Sequence, residues 1–333
     1  MISERECINL IQSFTHSQDD ENLVMGIGDD CAVLKKDETN YQLLTTDTLV
    51  SGVHFDLNWH PPHLLGRKSA AVNLSDIAAM GGDPRVCLLS VAFPDEIPSW
   101  LEEFMSGFSS VLKEHDTRLV GGDTVKGNHD IVITVMLLGE VYEKHICYRA
   151  GALPGDLIWV SGSLGMGAAG LELCRKGMYN PNEAGGKWQQ LAKAHLDPEP
   201  LIGLGKVLAA SRLVNAMMDI SDGLATDLAH LCNASGVGAE IQQNLLPVSE
   251  QLEKAAQELG TNAFDWMLKG GEDYQLLFTT KPSDEKKLRQ IVADYSGREI
   301  SPIGRIIDGE GVYLFDNEER QEISYQGYDH FAD

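Results

Sequence analysis

Six short motifs that combine an acidic residue with glycine, serine or threonine are spread over most of the 333 residues. The pattern predicts that each lies at the end of a strand or helix. Carboxylates tolerate crowding or burial only when a cation compensates them, so a fold that brings the six together needs bound metal. The motifs are Gly28-Asp29-Asp30, Thr45-Thr46-Asp47, Asn73-Leu74-Ser75-Asp76, Gly121-Gly122-Asp123-Thr124, Asp219-Ile220-Ser221-Asp222-Gly223 and Gly270-Gly271-Glu272-Asp273.

The ligand chemistry of these motifs favours magnesium or manganese. Their donors are hard oxygen atoms without an accompanying Cys or His cluster, which is the set that these cations prefer. Asp47 is predicted at the C-terminal end of an apolar strand, where α/β sheets usually bind ligands. Asp76 is predicted near the C-terminus of a helix, where a carboxylate opposes the helix dipole at a cost of about 0.5 kcal/mol. A metal ion would offset that cost, and a magnesium-rich site suggests phosphate chemistry.

The segment Gly121-Gly122-Asp123-Thr124 is typical of a small phosphate-binding loop. Its glycines permit close approach of the backbone to a phosphate, and the aspartate can hold the metal of that phosphate. The chain has no Walker motif elsewhere. Arg149 and Lys126 are candidate phosphate clamps near these acidic segments.

Each motif also has an ordinary structural interpretation. Asp29-Asp30 can form a hairpin turn, and Ser221 or Asp222 can be the N-cap of a helix. Gly270-Gly271 can form a bulge before a strand. The agreement of all six favours a shared site over six separate turns.

Composition and charge exclude several other classes of protein. The net charge of −24 argues against nucleic acid as a partner, because phosphate backbones are bound through an excess of Lys and Arg. No apolar run reaches the length of about 18 residues that a membrane span needs, and the N-terminus does not resemble a signal peptide. The six cysteines form no Cys-x-x-Cys pair, which predicts free thiols in a reducing compartment, the cytoplasm.

Strands and helices interleave in both halves, which predicts an α/β or α+β layered fold with two domains. Ser3 and Glu6 form the pattern of a helix-capping box. Pro61-Pro62 predicts the start of a long helix that Gly81-Gly82 ends. The Pro154-Gly155-Asp156 turn marks a composition shift, and we divide the chain into an N-terminal domain, 1–149, and a C-terminal domain, 150–333.

With these motifs the chain resembles the bacterial thiamine-monophosphate kinases, of the superfamily that includes aminoimidazole ribonucleotide synthetase and selenophosphate synthetase. The resemblance runs from Gly26 almost to the C-terminal segment Gly327-Tyr328-Asp329-His330-Phe331. Its most specific segments are Thr46-Asp47-Thr48-Leu49-Val50, Gly52-Val53-His54-Phe55, Asn73-Leu74-Ser75-Asp76-Ile77-Ala78-Ala79-Met80-Gly81, Asp219-Ile220-Ser221-Asp222-Gly223-Leu224 and Gly270-Gly271-Glu272-Asp273-Tyr274.

The resemblance implies an aminoimidazole ribonucleotide synthetase-like fold, a homodimer formed through the N-terminal mixed sheets, and ATP bound between the domains. Several Mg²⁺ ions would be held by Asp30, Thr45, Thr46, Asp47, Asp76, Asp123, Asp219 and Asp222. ATP would contact Gly122, Asp123, Arg149 and Ser221. Thiamine monophosphate would contact His54, Glu272 and Tyr328, with Phe331 as the alternative aromatic cover. Catalysis would be metal-mediated through Asp47, Asp76 and Asp123.

The implied reaction transfers the γ-phosphoryl group of ATP to the phosphate of thiamine monophosphate. The acceptor phosphate has a second pKa of about 6 and is mostly dianionic near neutral pH, so it needs no general base. The difficulty is charge repulsion, because ATP and the acceptor bring about six negative charges to an acidic site. We therefore expect direct in-line transfer, with the aspartates acting through metal and not as covalent nucleophiles.

Two alternative functions remain at this point. One is another ATP-using reaction of the same superfamily, of the selenophosphate synthetase or aminoimidazole ribonucleotide synthetase type. The other is an acidic cation-binding protein without catalysis, although that interpretation favours contiguous loops of EF-hand spacing, which the sequence lacks.

Overall fold

The computed structural model describes residues 3–15, 21–94, 98–180, 185–317 and 319–331. Helices and strands alternate through both halves, so the predicted mixed fold is confirmed. The N-terminal elements are α1 (Glu4–Phe14), β1 (Leu23–Met25), β2 (Ala32–Lys35), β3 (Asn40–Val50), α2 (Pro62–Ala79), β4 (Asp83–Phe93), α3 (Pro98–Glu114), β5 (Arg118–Lys126) and β6 (Val132–Tyr142).

The C-terminal half is built in the same manner from shorter elements. They are β7 (Leu157–Val160), α4 (Met166–Arg175), α5 (Gln189–Leu196), α6 (Ile202–Ser211), β8 (Val214–Asp219), α7 (Leu224–Ser235), β9 (Gly238–Gln242), α8 (Glu250–Leu259), α9 (Ala263–Lys269), β10 (Leu276–Thr280), α10 (Glu285–Ser296), β11 (Ser301–Ile307), β12 (Val312–Asp316) and β13 (Glu319–Glu322).

Each half contains one mixed sheet. The six-stranded N-terminal sheet has the order β1-β2-β3-β6-β4-β5, and only its β4–β5 pair is parallel. The seven-stranded C-terminal sheet has the order β13-β12-β9-β11-β7-β10-β8, with a parallel β9–β12 pair. Strand β5 is the exposed edge of the first sheet, and β8 is an edge of the second.

Helix α2 is the element that connects the two halves. Most of its side chains are buried, because it packs on the N-terminal sheet, on α3, and on α6 and β8 of the C-terminal half. Glycine allows two of these contacts: a Cβ on Gly66 would lie 2.0 Å from the Phe104 carbonyl oxygen, and one on Gly205 would lie 2.0 Å from that of Ala78. As a result one hydrophobic core extends across both halves, and its members include Leu74, Ile77, Leu204, Leu208 and Met217.

Several local predictions are confirmed. Ser3 and Glu6 form the capping box of α1. Helix α2 has a proline at its first turn, and Gly81, with φ of 72°, follows its end. Among the described residues, no helix has the length and hydrophobicity of a membrane span.

Two local predictions are wrong, and one structural alternative is not observed. The Gly121–Thr124 segment is not a loop but the middle of strand β5, and Asp47 lies within the 11-residue strand β3, not at its end. Neither Ser221 nor Asp222 caps α7: the N-cap is Gly223, and the Asp227 carboxylate accepts hydrogen bonds from the Asp222 and Gly223 amides, at 3.1 and 3.0 Å.

Candidate active site

Three aspartates from distant parts of the sequence meet where the two halves join. Asp30 precedes β2, Asp76 lies in the last turn of α2, and Asp219 ends β8. One carboxylate oxygen of each lies within 4.8 Å of the other two. Two different halves of the chain therefore supply one acidic cluster, which joins aspartates from three of the six motifs.

Neighbouring donors hold one oxygen of each of these carboxylates. The Thr45 hydroxyl donates to Asp76 Oδ2, and the Ser75 hydroxyl donates to Asp219 Oδ2 at 2.6 Å. Arg149 donates from Nε and Nη2 to Asp30 Oδ1, at 3.0 and 2.5 Å. Asp30 Oδ2 is buried and has no hydrogen-bond partner among the described residues. A buried carboxylate oxygen without a partner is costly, and a cation would satisfy it.

Burial and mutual repulsion raise the pKa values of the acids in this cluster. Burial, with the charge of Asp30 as the next cause, raises the pKa of Asp29 and of Asp219 to about 7 and that of Asp47 to about 6. Burial also raises the pKa of Asp76, which the charges of Asp47 and Asp219 raise further. Such a cluster needs protons or cations to neutralise it, and its all-oxygen donors fit Mg²⁺.

Asp47 and Thr46 approach the cluster from β3. The Asp47 amide donates to Asn73 Oδ1 of α2 at 3.0 Å, which fixes strand and helix against each other. The Thr46 hydroxyl donates to the Val135 carbonyl at 3.0 Å. Seven of the eight predicted metal ligands thus lie in or beside this region, before β2, on β3, on α2 and around the end of β8.

Asp123, the eighth, and Gly122 lie elsewhere in the chain. Both are exposed on the edge strand β5. The pairing places Asp47 opposite Val135, Val135 opposite Leu89, and Leu89 opposite Gly122. Three strand spacings separate Asp47 from that point, about 14 Å. Within one chain, these two residues are not brought together with the other predicted ligands.

A cavity of about 500 Å³ opens beside the aspartates. Its wall contains polar residues from the motifs and apolar residues that include Val53, Val72, Ala168 and Leu171. The motif residues on its wall are Thr46, Asp47, Asp76, Asp219, Ser221, Asp222 and Glu272. The cavity therefore offers both acidic groups that suit a cation and apolar surface that suits an organic ring.

The predicted substrate residues His54 and Tyr328 also line this cavity. The Val50 amide donates to His54 Nδ1 at 3.1 Å, and burial lowers the pKa of His54. The His330 ring lies 5.0 Å from that of His54 and 4.9 Å from that of Tyr328. The Tyr328 amide donates to the Asp222 carbonyl at 2.8 Å, so the C-terminal segment is fastened to the acidic loop. Phe331 is 49% exposed, and the cavity wall contains Tyr328 in its place.

Sequence reasoning missed two residues that contact the site. Lys68 of α2 and His195 of α5 are both fully buried, and both bind the carboxylate of Glu272. In the sequence Lys68 has the appearance of an ordinary surface residue of an amphipathic helix. No motif surrounds His195, and its partner is distant along the chain, so no local signal identified either one.

Comparison with protein families supports a two-part organisation. The family described as AIR synthase related protein, N-terminal domain, matches residues 28–141, and the corresponding C-terminal domain family matches residues 154–317. Together the two matches cover most of the chain.

Individual relatives are similar along nearly their whole length. The chain is 39% identical to a thiamine-monophosphate kinase of Buchnera aphidicola subsp. Acyrthosiphon pisum, with 94% of each chain covered. It is 38% identical to the thiamine-monophosphate kinase of Escherichia coli K12, with 92% of each chain covered.

Solved structures agree with these relatives. AaThiL complexed with AMPPCP and TMP has a TM-score of 0.82 at 34% identity, covering 99% of this chain and 97% of that one. The thiamine-monophosphate kinase from Stenotrophomonas maltophilia K279a has a TM-score of 0.77 at 35% identity, covering 93% and 94%. The chain therefore belongs to the AIR synthase related proteins and, among them, to the thiamine-monophosphate kinase family.

Proposed function

We propose that this protein transfers the γ-phosphoryl group of ATP to thiamine monophosphate, which gives thiamine diphosphate and ADP. The observation that carries the proposal is the Asp30–Asp76–Asp219 cluster, with one buried oxygen unsatisfied, beside a cavity of about 500 Å³. The relatives' names, and the ATP analogue and TMP in the AaThiL complex, support the same reaction.

The same geometry supports the ligand assignments except those of Gly122 and Asp123, which rest on the resemblance alone. We assign Mg²⁺ binding to Asp30, Thr45, Thr46, Asp47, Asp76, Asp219 and Asp222, with Asp123 as the ligand supplied by β5. Bound Mg²⁺ would neutralise the polyphosphate and align it for in-line transfer. Arg149 and Ser221, with Gly122 and Asp123, are the proposed ATP contacts. Arg149 also pairs with Asp30, which holds that carboxylate in place and opposes the rise in its pKa that burial causes.

The residues around the cavity suit a reaction that needs no proton transfer. The acceptor phosphate is already dianionic, so the chain has to bind it, exclude water and hold it in line. Glu272, His54 and Tyr328 are the proposed contacts to the thiamine part, and the apolar wall of Val53, Ala168 and Leu171 can cover its rings. Asp47, Asp76 and Asp123 would act through metal, and trapping of a phosphorylated aspartate during turnover would contradict this mechanism.

A direct assay tests the proposal. The purified full chain is incubated with Mg²⁺, ATP and thiamine monophosphate, and thiamine diphosphate is detected by oxidation to its fluorescent derivative. We expect thiamine diphosphate and ADP in equal amounts, and no product when Mg²⁺ is chelated. ADP formed only with selenide, or only with a purine-precursor ribonucleotide, would favour the related superfamily reactions. Binding of Mg²⁺ without any turnover would favour a cation-binding protein.

We further propose a cytoplasmic homodimer. All six cysteines are free, and five are buried, which fits a reducing compartment. Strand β5 is an exposed edge with apolar residues such as Val120 and Val125, and a second copy would cover it. A measurement of molar mass in solution by light scattering tests the dimer.

A further inference from the structure

A buried cluster of three charged or polar groups lies behind the cavity. Lys68 Nζ is 2.6 Å from Glu272 Oε1, and His195 Nδ1 is 2.8 Å from Glu272 Oε2. The side chains of Lys68 and His195 have no exposed surface, whereas that of Glu272 is 21% exposed and lines the cavity. Each carboxylate oxygen of Glu272 thus has its own donor on the protein side, while the side chain keeps exposed surface in the cavity wall.

The protonation states in this cluster follow from its partners. Burial lowers the pKa of His195, and the Lys68 cation lowers it further, so the imidazole is neutral. Nδ1 lies 2.8 Å from Glu272 Oε2 and 3.4 Å from Lys68 Nζ, and the shorter contact assigns the ring proton to Nδ1, which donates to Glu272. His195 Nε2 is buried without a hydrogen-bond partner among the described residues, which agrees with that tautomer. Burial raises the pKa of Glu272, but Lys68 and His195 outweigh that effect and hold it well below its usual range. The cluster contains one cation, one anion and one neutral ring, so its net charge is zero.

The backbone around Glu272 is also held in place. Glu272 has φ of 68° and Tyr274 has φ of 50°, a region that residues with side chains rarely adopt. The Glu272 amide donates to the Ser221 carbonyl at 2.7 Å. A Cβ on Gly167 would lie 2.5 Å from the Glu272 carbonyl oxygen, so α4 packs directly on this loop. Backbone that is kept in such a conformation at a cavity wall indicates a fixed functional position.

We propose that Lys68 and His195 are positioning residues that hold Glu272 as an ionised hydrogen-bond acceptor for the exocyclic amino group of the substrate's pyrimidine ring. The inference rests on the proposed function and extends it to two residues that do not line the cavity. Because the cluster is electrically neutral, it is poorly suited to be a counterion for the thiazolium ring. An ionised carboxylate has no proton to donate, so it selects a donor such as an amine and rejects a carbonyl.

The experiment compares thiamine monophosphate with oxythiamine monophosphate, in which a carbonyl oxygen replaces that amino group. The unaltered protein should prefer the amino substrate in kcat/KM. In Lys68→Met and His195→Leu, KM for thiamine monophosphate should rise about tenfold with kcat within about twofold, because a binding contact is lost. The preference over oxythiamine monophosphate should fall by about tenfold in the same variants. KM for ATP should stay within about twofold.

Two further variants separate positioning from general damage. His195→Asn keeps a donor near the position of Nδ1 and should restore most of the preference that His195→Leu loses. Lys206→Met makes the same change at an exposed ion pair with Asp83, far from the cavity, and should leave both substrates unaffected. Circular dichroism and melting show whether Lys68→Met folds. If it does not, the comparison of His195→Leu with His195→Asn still tests the positioning role, because neither substitution removes a charge.

The outcomes separate the inference from the proposed function. No phosphorylation of thiamine monophosphate by the unaltered protein would refute the function itself. Normal turnover together with an unchanged substrate preference in folded Lys68→Met and His195→Leu would refute only the positioning role. An equal rise in KM for ATP and for thiamine monophosphate would also refute it, since that is the result of a general structural defect.

Discussion

Asp30, Asp76 and Asp219 share one small volume in which each carboxylate is held on one oxygen by a neighbouring donor. The donors are too few to neutralise three charges. Arg149 supplies positive charge to the cluster through its ion pair with Asp30. The cluster is therefore arranged for a cation at the expense of the stability of the metal-free protein.

The substitution Asp76→Asn tests whether the cluster favours cation binding and lowers the stability of the metal-free protein. We expect turnover to fall by at least about 100-fold, because a metal ligand is lost. In the absence of Mg²⁺ the melting temperature should stay the same or rise, because the substitution removes a repelling charge. Thiamine diphosphate formation at saturating substrates and thermal melting in EDTA are the two measurements. Asp308→Asn, at an exposed position, is the control, and a near-normal rate of Asp76→Asn at limiting Mg²⁺ would contradict the assignment.

The raised pKa values also predict how stability depends on pH. Asp29 and Asp219 have a pKa of about 7 in the folded protein against an ordinary value of 3.8. Between those values the folded chain binds more protons than the unfolded chain, so its stability falls as pH rises toward and through 7. Metal-free protein should melt at a higher temperature at pH of about 5.5 than at about 8, and saturating Mg²⁺ should reduce or reverse that difference. If the difference in melting temperature between the two pH values is the same with and without Mg²⁺, the prediction is contradicted.

At the scale of single residues, the sequence predicts the aspartates of the site well, but it does not predict the residues that contact Glu272. Asp30, Asp76 and Asp219 stand in motifs whose residue types already indicate metal chemistry. Lys68 and His195 act through contacts with Glu272, which is far from both along the chain. Only the folded arrangement of α2, α5 and the Glu272 loop shows which lysine is buried, so no local pattern could identify it.

Among the helices and strands, α2 supplies the most residues to the site. Lys68, Asn73, Ser75 and Asp76 all lie on it, and its direction is set by close packing on α3. A Cβ on Gly107 of α3 would lie 1.8 Å from the His63 carbonyl oxygen, so the two helices touch through backbone.

Gly107→Ala should therefore destabilise the protein by about 2 kcal/mol, as overpacking of a tight contact does. Urea unfolding measures the change. The adjacent Ser106→Ala, on the exposed face of α3, serves as the matched control and should be close to neutral. An equal effect of the two substitutions would show that the helix contact is more tolerant than the geometry indicates.

Strand β5 shows why a glycine-rich motif predicts a loop although it forms a strand. Gly121 and Gly122 are typical of turns, yet here they permit the parallel pairing of β5 with β4. A Cβ on Gly122 would lie 1.8 Å from the Leu89 carbonyl oxygen. The long apolar strands and helix α2 were predictable, whereas β13, which consists of four exposed polar residues, was not, because it forms only by pairing with β12.

For the whole molecule, the exposed edge of β5 leads to a prediction about assembly. Val120 is 59% exposed on that strand, close to the proposed ATP contacts Gly122 and Asp123. We expect Val120→Asp to convert the proposed dimer to monomer, because it places a charge on an apolar pairing edge. KM for ATP should rise with the loss of the partner. Light scattering and ATP-dependent kinetics provide the measurements.

Leu153→Asp is the matched control, since Leu153 is 52% exposed on the loop before β7. It should change neither molar mass nor KM for ATP. A Val120→Asp protein that keeps the mass and kinetics of the unaltered chain would place the contact between copies on another surface.

The position of α2 between the two sheets has a consequence during protein synthesis. Residues 1–149 leave the ribosome first, but α2 packs around Ala78 against Gly205 of α6, which is made later. In the nascent N-terminal half, the apolar face of α2 is therefore uncovered until α6 has emerged from the ribosome. Release of that half alone, by premature termination, would give a fragment prone to aggregate or to engage chaperones.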